Sequence, residues 1–125
     1  MSKIVNRHDL DFLMYDVLHL EKVFETEKYN SFDREAVTAI LDSAEKIAEE
    51  KFLPCAAEVD AFEPLFEEGR AITHKAIKPA LDAYIEAGFL GAGFDEDVGG
   101  LQAPVTVQMA VNGLFYAANM PAFGY

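Results

Sequence analysis

Apolar residues recur along this chain at three- and four-residue steps and almost never alternate, a spacing that predicts helices from end to end. From about His8 to Phe24 the apolar positions are Leu10, Leu13, Met14, Val17, Leu18 and Phe24, with Asp9, Asp11, Asp16 and Glu21 mostly on the other side. The polar run from Thr26 to Ser31 reads as a loop. Ser31 or Asp33 can cap a second helix, whose apolar face is Val37, Ile40, Leu41, Ala44, Ile47, Ala48 and Phe52. Glu45, Lys46, Glu49 and Glu50 form its wet side. Pro54 kinks or ends this helix, although residues 56–62 can carry it another turn or two. The stretch from Phe62 to Ala71, with Pro64, Gly69 and Arg70, reads as a surface loop.

Thr73 suits the cap of a third helix, with Ile77, Leu81, Tyr84 and Ile85 on its apolar face. Gly88 stands where a left-handed C-terminal residue is wanted. Pro79 lies inside the pattern, so the regular part begins near it. A long turn-rich loop follows from Phe89 to Pro104, carrying Gly91, Gly93, Gly99 and Gly100; such length points to function or to close backbone packing. Pro104 suits the first position of a fourth helix, running to about Asn119. Val105, Val107, Met109, Val111, Leu114, Phe115 and Tyr116 surround it, and a helix apolar on all sides belongs at the centre of a fold. No strand pattern and no internal repeat is evident. The predicted class is all-α, a small helical bundle of four main helices.

Composition bounds the rest. The 125 residues are 51% hydrophobic, enough to fill one core. Lys and Arg number 10 against 22 Asp and Glu, a net charge of -12, which argues against nucleic acid because phosphate binding needs a cationic stripe. All charged side chains fall within residues 1–97, and residues 98–125 hold none. The mostly apolar stretch from Pro104 to Met120 is short of the roughly 20 residues a membrane span needs, carries Thr106, Gln108, Asn112 and Asn119, and is flanked by no Lys or Arg. The N-terminus has no apolar run of the kind a signal peptide needs. With Cys55 as the single cysteine, no internal disulfide can form, and a reducing, cytoplasmic setting is expected.

Candidate chemistry is sparse. Asp16 and His19 stand three apart, as in carboxylate-bridged metal helices, yet those sites need such a pair from each of two helices plus two further carboxylates. No metal site is expected. The glycine loop lacks a preceding strand, and Asp95, Glu96 and Asp97 would repel phosphate; the triplet does not have calcium-loop spacing. Cys55 has no histidine near it in sequence and reads as a buried structural thiol. Glu67 and Glu68 read as solvated carboxylates. Nothing assembles a nucleophile, a base and an oxyanion donor, so no catalytic residue is expected in the chain.

The segment from Ala83 to Pro104 resembles the N-terminal helical domain of acyl-CoA dehydrogenases. In that family a helix ending in Glu-Ala-Gly-Phe leads through a Pro-Glu-Glu-x-Gly-Gly type of loop into an apolar helix. Here Glu86-Ala87-Gly88-Phe89 and Asp95-Glu96-Asp97-Val98-Gly99-Gly100 take those places, with Phe94 or Asp95 where the family has proline and Val98 where an aromatic is common. Residues 32–54 are similar to the family's opening helix, which ends near a proline. Residues 7–21 resemble an N-terminal extension of a larger subgroup that includes relatives of methylmercaptopropionyl-CoA dehydrogenases.

The resemblance implies a division into a helical extension, residues 1–30, and a helical N-terminal domain, residues 31–125, cut before a β middle domain. It implies FAD, which accepts hydride from the acyl β-carbon while a glutamate removes the α-proton. Both the glutamate and most flavin contacts belong to the missing middle and C-terminal domains, so this chain alone is expected to be inactive and not to hold FAD. An acyl-CoA substrate, an electron-transfer flavoprotein and a homo-oligomer are the implied partners. Pro121, Ala122, Phe123 and Tyr125 are placed near the apolar end of the substrate, and Gly99 and Gly100 at the domain junction. The ending Asn-Met-Pro-Ala-Phe-Gly-Tyr has no polar cap, and Pro121 looks like the start of another element. The rival reading is a non-enzymatic helical module that dimerises through the tail helix.

Overall fold

A computed structural model describes all residues 1–125. The chain is mainly helical, built on helices α3 (Arg34–Ile47), α5 (Ile77–Glu86) and α6 (Val105–Phe123), with shorter α1 (Arg7–Asp11), α2 (Leu20–Phe24) and α4 (Ala56–Ala61). α3 starts where Asp33 places its carboxylate on the Ala36 N–H at 2.7 Å, one of the two predicted caps. Val37, Leu41, Ala44, Ala48 and Phe52 then reach the core, as their spacing predicts. One hydrophobic cluster spans the chain, from Met14 and Leu20 through α3 and α5 to Ala122 on α6. No helix is long and apolar enough to cross a membrane.

The first predicted helix is not continuous. α1 widens into a π-helical stretch, Phe12–Val17, and the run stops at His19, which is left-handed at φ 53°. The wider turn rotates the face: Met14, Tyr15 and Leu20 are buried, whereas Leu13, Val17 and Leu18 point to solvent. Asp16 and His19 therefore do not share a helical face. The segment is strapped to α3 by Arg7, whose guanidinium reaches Asp42 at 2.8 Å and Glu45 at 2.6 Å, and to the turn after α3 by the Lys3 N–H on Glu49 at 2.6 Å. Arg34 of α3 stacks on the Tyr15 ring at 3.8 Å.

Residues predicted as a loop form a hairpin, β1 (Leu65–Glu67) against β2 (Arg70–Ile72), with Glu67 paired to Arg70. Both turn residues have positive φ, Glu68 at 49° and Gly69 at 78°, the signature of a type I′ turn. Thr73 does not cap α5: the residue before the helix is Ala76, which has no side-chain cap, and Pro79 occupies the third helical position, where its missing N–H costs nothing. Gly88 ends the helix at φ 83° as expected.

α6 buries one face only. Val107, Val111, Leu114 and Phe115 fill the core, while Val105, Met109, Tyr116 and Met120 are exposed. The expected encirclement by other elements is absent within residues 1–125: α3, α4 and α5 pack on the buried face and leave the opposite side uncovered.

Candidate functional site

The candidate site lies where α6 breaks. Pro54 in the second helix can donate no N–H, and the chain passes it by a π-turn, Ala48–Phe52, and a 3-10 turn, Leu53–Cys55, before α4 resumes. The Ala56 N–H bonds to Leu53 O, which leaves the Phe52 carbonyl without its helical partner. Asn119 supplies one. Its Nδ2 donates to Phe52 O at 2.9 Å, and its Oδ1 accepts the Ala122 N–H at 3.1 Å. To do so Asn119 leaves helical geometry (φ -163°, ψ 83°) while 2% exposed, and the chain starts a fresh turn with Pro121 at its second position. The two helix breaks are thus joined through one amide side chain. The expectation that Pro121 opens a new element is met, with Asn119 as the cap.

This turn brings Phe123 into an aromatic cluster. Its ring lies 5.2 Å from Tyr84, 5.4 Å from Phe115 and 4.7 Å from Tyr116. The pairs with Tyr84 and Tyr116 are edge-to-face and that with Phe115 is stacked, and such aromatic pairs contribute about 0.5–1.5 kcal/mol each beyond simple burial. The Tyr84 hydroxyl stands 3.3 Å from both the Phe89 carbonyl and Asn112 Oδ1, and burial pushes its pKa up. With that hydroxyl turned inward, its ring presents only carbon outward.

Two depressions meet at Tyr125. The first, about 250 Å³, is lined by Leu81, Tyr84, Ile85, Leu90, Phe123 and Tyr125. It holds no carboxylate, imidazole, thiol or amine, so its chemistry is to shelter hydrocarbon. The second, about 600 Å³, includes Asp60, Glu63, His74 and Pro121 with Tyr125. There His74 Nδ1 accepts the Ala76 N–H at 3.2 Å, so Nε2 carries the proton and faces Glu58 at 3.9 Å. Of the four residues placed at the substrate end, Phe123 and Tyr125 share the apolar groove and Pro121 sits in the neighbouring cleft. Ala122 is wholly buried, its methyl in the core.

The glycine loop is close-packed. Gly99 is left-handed at φ 86°, and a Cβ at Gly100 would run into the Phe94 carbonyl and side chain. The Gln102 N–H bonds to Phe94 O at 2.9 Å and the Ala103 N–H to Ala92 O at 2.8 Å, folding the loop upon itself. Gln102 Nε2 reaches the Lys28 carbonyl at 2.8 Å and Lys28 pairs with Asp95 at 2.8 Å, so the loop is fastened to the segment after α2. No group of three or more His, Cys, Asp or Glu is arranged to hold a metal ion. Cys55 is half-buried rather than enclosed, its thiol 3.4 Å from Phe52 O and 3.5 Å from Asn119 Nδ2.

Asn119, Leu81 and Leu90 were not marked as site residues by pattern alone. The available signal for Asn119 is an Asn two residues before a proline at the end of an apolar helix, which is N-cap chemistry for a following turn.

No family model matches the chain. It is similar to the broad-specificity linear acyl-CoA dehydrogenase FadE5 of Mycobacterium tuberculosis (strain ATCC 25618 / H37Rv), with 25% identity over 122 residues. The match takes in 96% of this chain and 20% of that protein, so the chain spans about a fifth of its relative's length.

Proposed function

We propose that residues 1–125 are the helical N-terminal domain of an FAD-dependent acyl-CoA dehydrogenase, with residues 1–30 as its extension. The domain forms one wall of the acyl pocket. The observation that carries the reading is the mainly apolar groove between Phe123 and Tyr125, set in a chain that aligns almost throughout with a linear acyl-CoA dehydrogenase.

The residues present do not fit FAD. A dinucleotide's pyrophosphate needs free N–H groups at a glycine loop or helix start, and here the loop opens on Asp95, Glu96 and Asp97 while α6 starts from Pro104. Flavin and the proton-abstracting glutamate therefore belong to domains outside this chain. Its own contribution is to hold the saturated chain in a dry groove, with Tyr125 at the mouth and Leu81, Ile85 and Leu90 along the side. Gly99 and Gly100 stand at the junction with the next domain, and Pro121 and Ala122 support the wall from beneath. The same reading assigns electron transfer to an electron-transfer flavoprotein and self-assembly to the complete cytoplasmic enzyme.

The test takes the full reading frame that encodes these residues and measures acyl-CoA oxidation with an artificial acceptor. Leu90→Asp places a carboxylate at the groove, so KM for a long-chain acyl-CoA rises about tenfold or more while a short-chain substrate is little affected. Equal effects on both substrates, or turnover by residues 1–125 alone, would overturn the assignment.

A further inference from the structure

The loop between α5 and α6 holds one residue against its backbone preference. Gln102 is left-handed at φ 50°, a conformation that glycine or asparagine takes at less cost. What glutamine adds is reach. Its Nε2 donates to the Lys28 carbonyl at 2.8 Å, and its Oε1 accepts from the Glu96 N–H at 3.4 Å. One amide thus ties the loop to a turn 74 residues earlier in the chain. Besides it, the Lys28–Asp95 ion pair alone joins residues 1–30 to this loop by a hydrogen bond or charge. That pair is 53% and 56% exposed, where an ion pair contributes little, so the amide is the main fastening.

From Gln102 the constraint runs to the groove through backbone. The Gln102 N–H bonds to Phe94 O at 2.9 Å, the Phe94 N–H to Gly91 O at 3.1 Å and the Ala103 N–H to Ala92 O at 2.8 Å. Gly100 lets the two passes of the loop touch, since a Cβ there would meet the Phe94 carbonyl. Leu90 stands immediately before this zipped pair and lines the groove with Leu81 and Phe123. With its side chain largely in solvent, Leu90 is located by the backbone around it more than by packing.

We propose that Gln102 is a positioning residue for acyl-chain binding: it clasps the loop to Lys28 and so holds Leu90 at the groove wall. This rests on the reading above, in which the groove shelters the hydrocarbon of an acyl-CoA. It gives residues 1–30 a part in chain-length selection.

Gln102→Asn in the product of the full reading frame tests this, because asparagine accepts the left-handed backbone but is one methylene too short for Lys28. Expected is a rise of about threefold or more in the ratio of long-chain to short-chain KM, the scale of one lost hydrogen bond. Gln102→Gly should do the same, although it relieves the backbone. In both variants amide exchange across residues 89–101 should quicken by a similar factor while α3 keeps its protection. An unchanged KM ratio, an equal rise for both substrates, or unchanged exchange in the loop overturns the clasp. Leu90→Asp separates the two claims. If it shifts the ratio and Gln102→Asn does not, the clasp alone fails; if Leu90→Asp leaves the ratio unchanged, the groove reading fails and the clasp with it.

Discussion

Asn119→Ala is the sharpest perturbation of this fold. The substitution removes the 2.9 Å bond to the Phe52 carbonyl and the 3.1 Å bond from the Ala122 N–H, both in the core. Each lost bond costs about 0.5–1.5 kcal/mol, and each buried partner left unsatisfied adds to that, up to about 1–3 kcal/mol. The Phe52 carbonyl keeps the Cys55 thiol at 3.4 Å as a weak donor, which trims its share. The sum is about 2–4 kcal/mol. For a chain between the small and middle size classes this lowers Tm by about 8–16 °C. Urea unfolding followed by far-ultraviolet circular dichroism should show a lower midpoint at unchanged slope, since the surface exposed on unfolding is the same. Asn119→Asp separates the two bonds. It keeps the acceptor for Ala122 and turns a second oxygen toward the Phe52 carbonyl, so it should cost more than alanine at neutral pH. Burial raises the new carboxyl's folded pKa, so its penalty grows as pH rises through the unfolded carboxylate value and fades in acid. An Asn119→Ala protein within about 0.5 kcal/mol of the parent, or an Asp variant as stable as the Ala variant at neutral pH, would refute the joined-break argument.

Further perturbations address the strap, the loop and the buried tyrosine. Burial works against the Glu45 carboxylate, but hydrogen bonds from Ser2 and Arg7 and the Arg7 charge outweigh it and hold its pKa below the ordinary 4.5. A depressed folded pKa stabilises above the unfolded value and is lost as pH falls through the folded one, so Arg7→Met should destabilise at neutral pH and converge with the parent only once the pH has fallen through that depressed value, as read by denaturant titrations across pH. Gly100→Ala must displace the Phe94 carbonyl and should lower stability by about 2 kcal/mol or more, whereas Gly99→Asn, in a left-handed but open position, should cost clearly less; thermal melts of the pair check the order. The Tyr15 hydroxyl is buried without a partner, so Tyr15→Phe should leave stability unchanged or raise it by about 1 kcal/mol; a marked loss would mean the hydroxyl is satisfied.

Amphipathic spacing identified the helical class, α3 with its Asp33 cap, and the left-handed Gly88, because each is a local consequence of side-chain period or backbone freedom. It misread three places. The run from His8 to Phe24 has an unbroken three-and-four pattern, yet docking on α3 selects Met14, Tyr15 and Leu20, and a π-turn provides the rotation. The hairpin was hidden because Glu-Gly is a weaker turn signal than Asn-Gly or Asp-Gly, and because strands of three residues hold too few positions to show alternation. α6 was expected to be surrounded, since apolar residues on every side carry no sign of which partner covers each side.

The segment from Pro121 to Tyr125 and the Gly99–Gly100 turn were marked through the family resemblance, and the structure sets the first beside two depressions and close-packs the second. Leu81, Ile85 and Leu90 were legible only as parts of a helix and a loop. Their meeting with Phe123 depends on the break at Asn119, and that break depends on the Phe52 carbonyl, freed beside Pro54 and 67 residues earlier in the chain. Local sequence determined which segments coil, the Asp33 start of α3, the Gly88 end of α5, and that residues 98–125 carry no charge, because those are matters of period, capping and composition. Only the tertiary structure decided which face of each helix is dry and which carbonyl Asn119 serves, because hydrogen bonds and burial between distant segments have no periodicity to read.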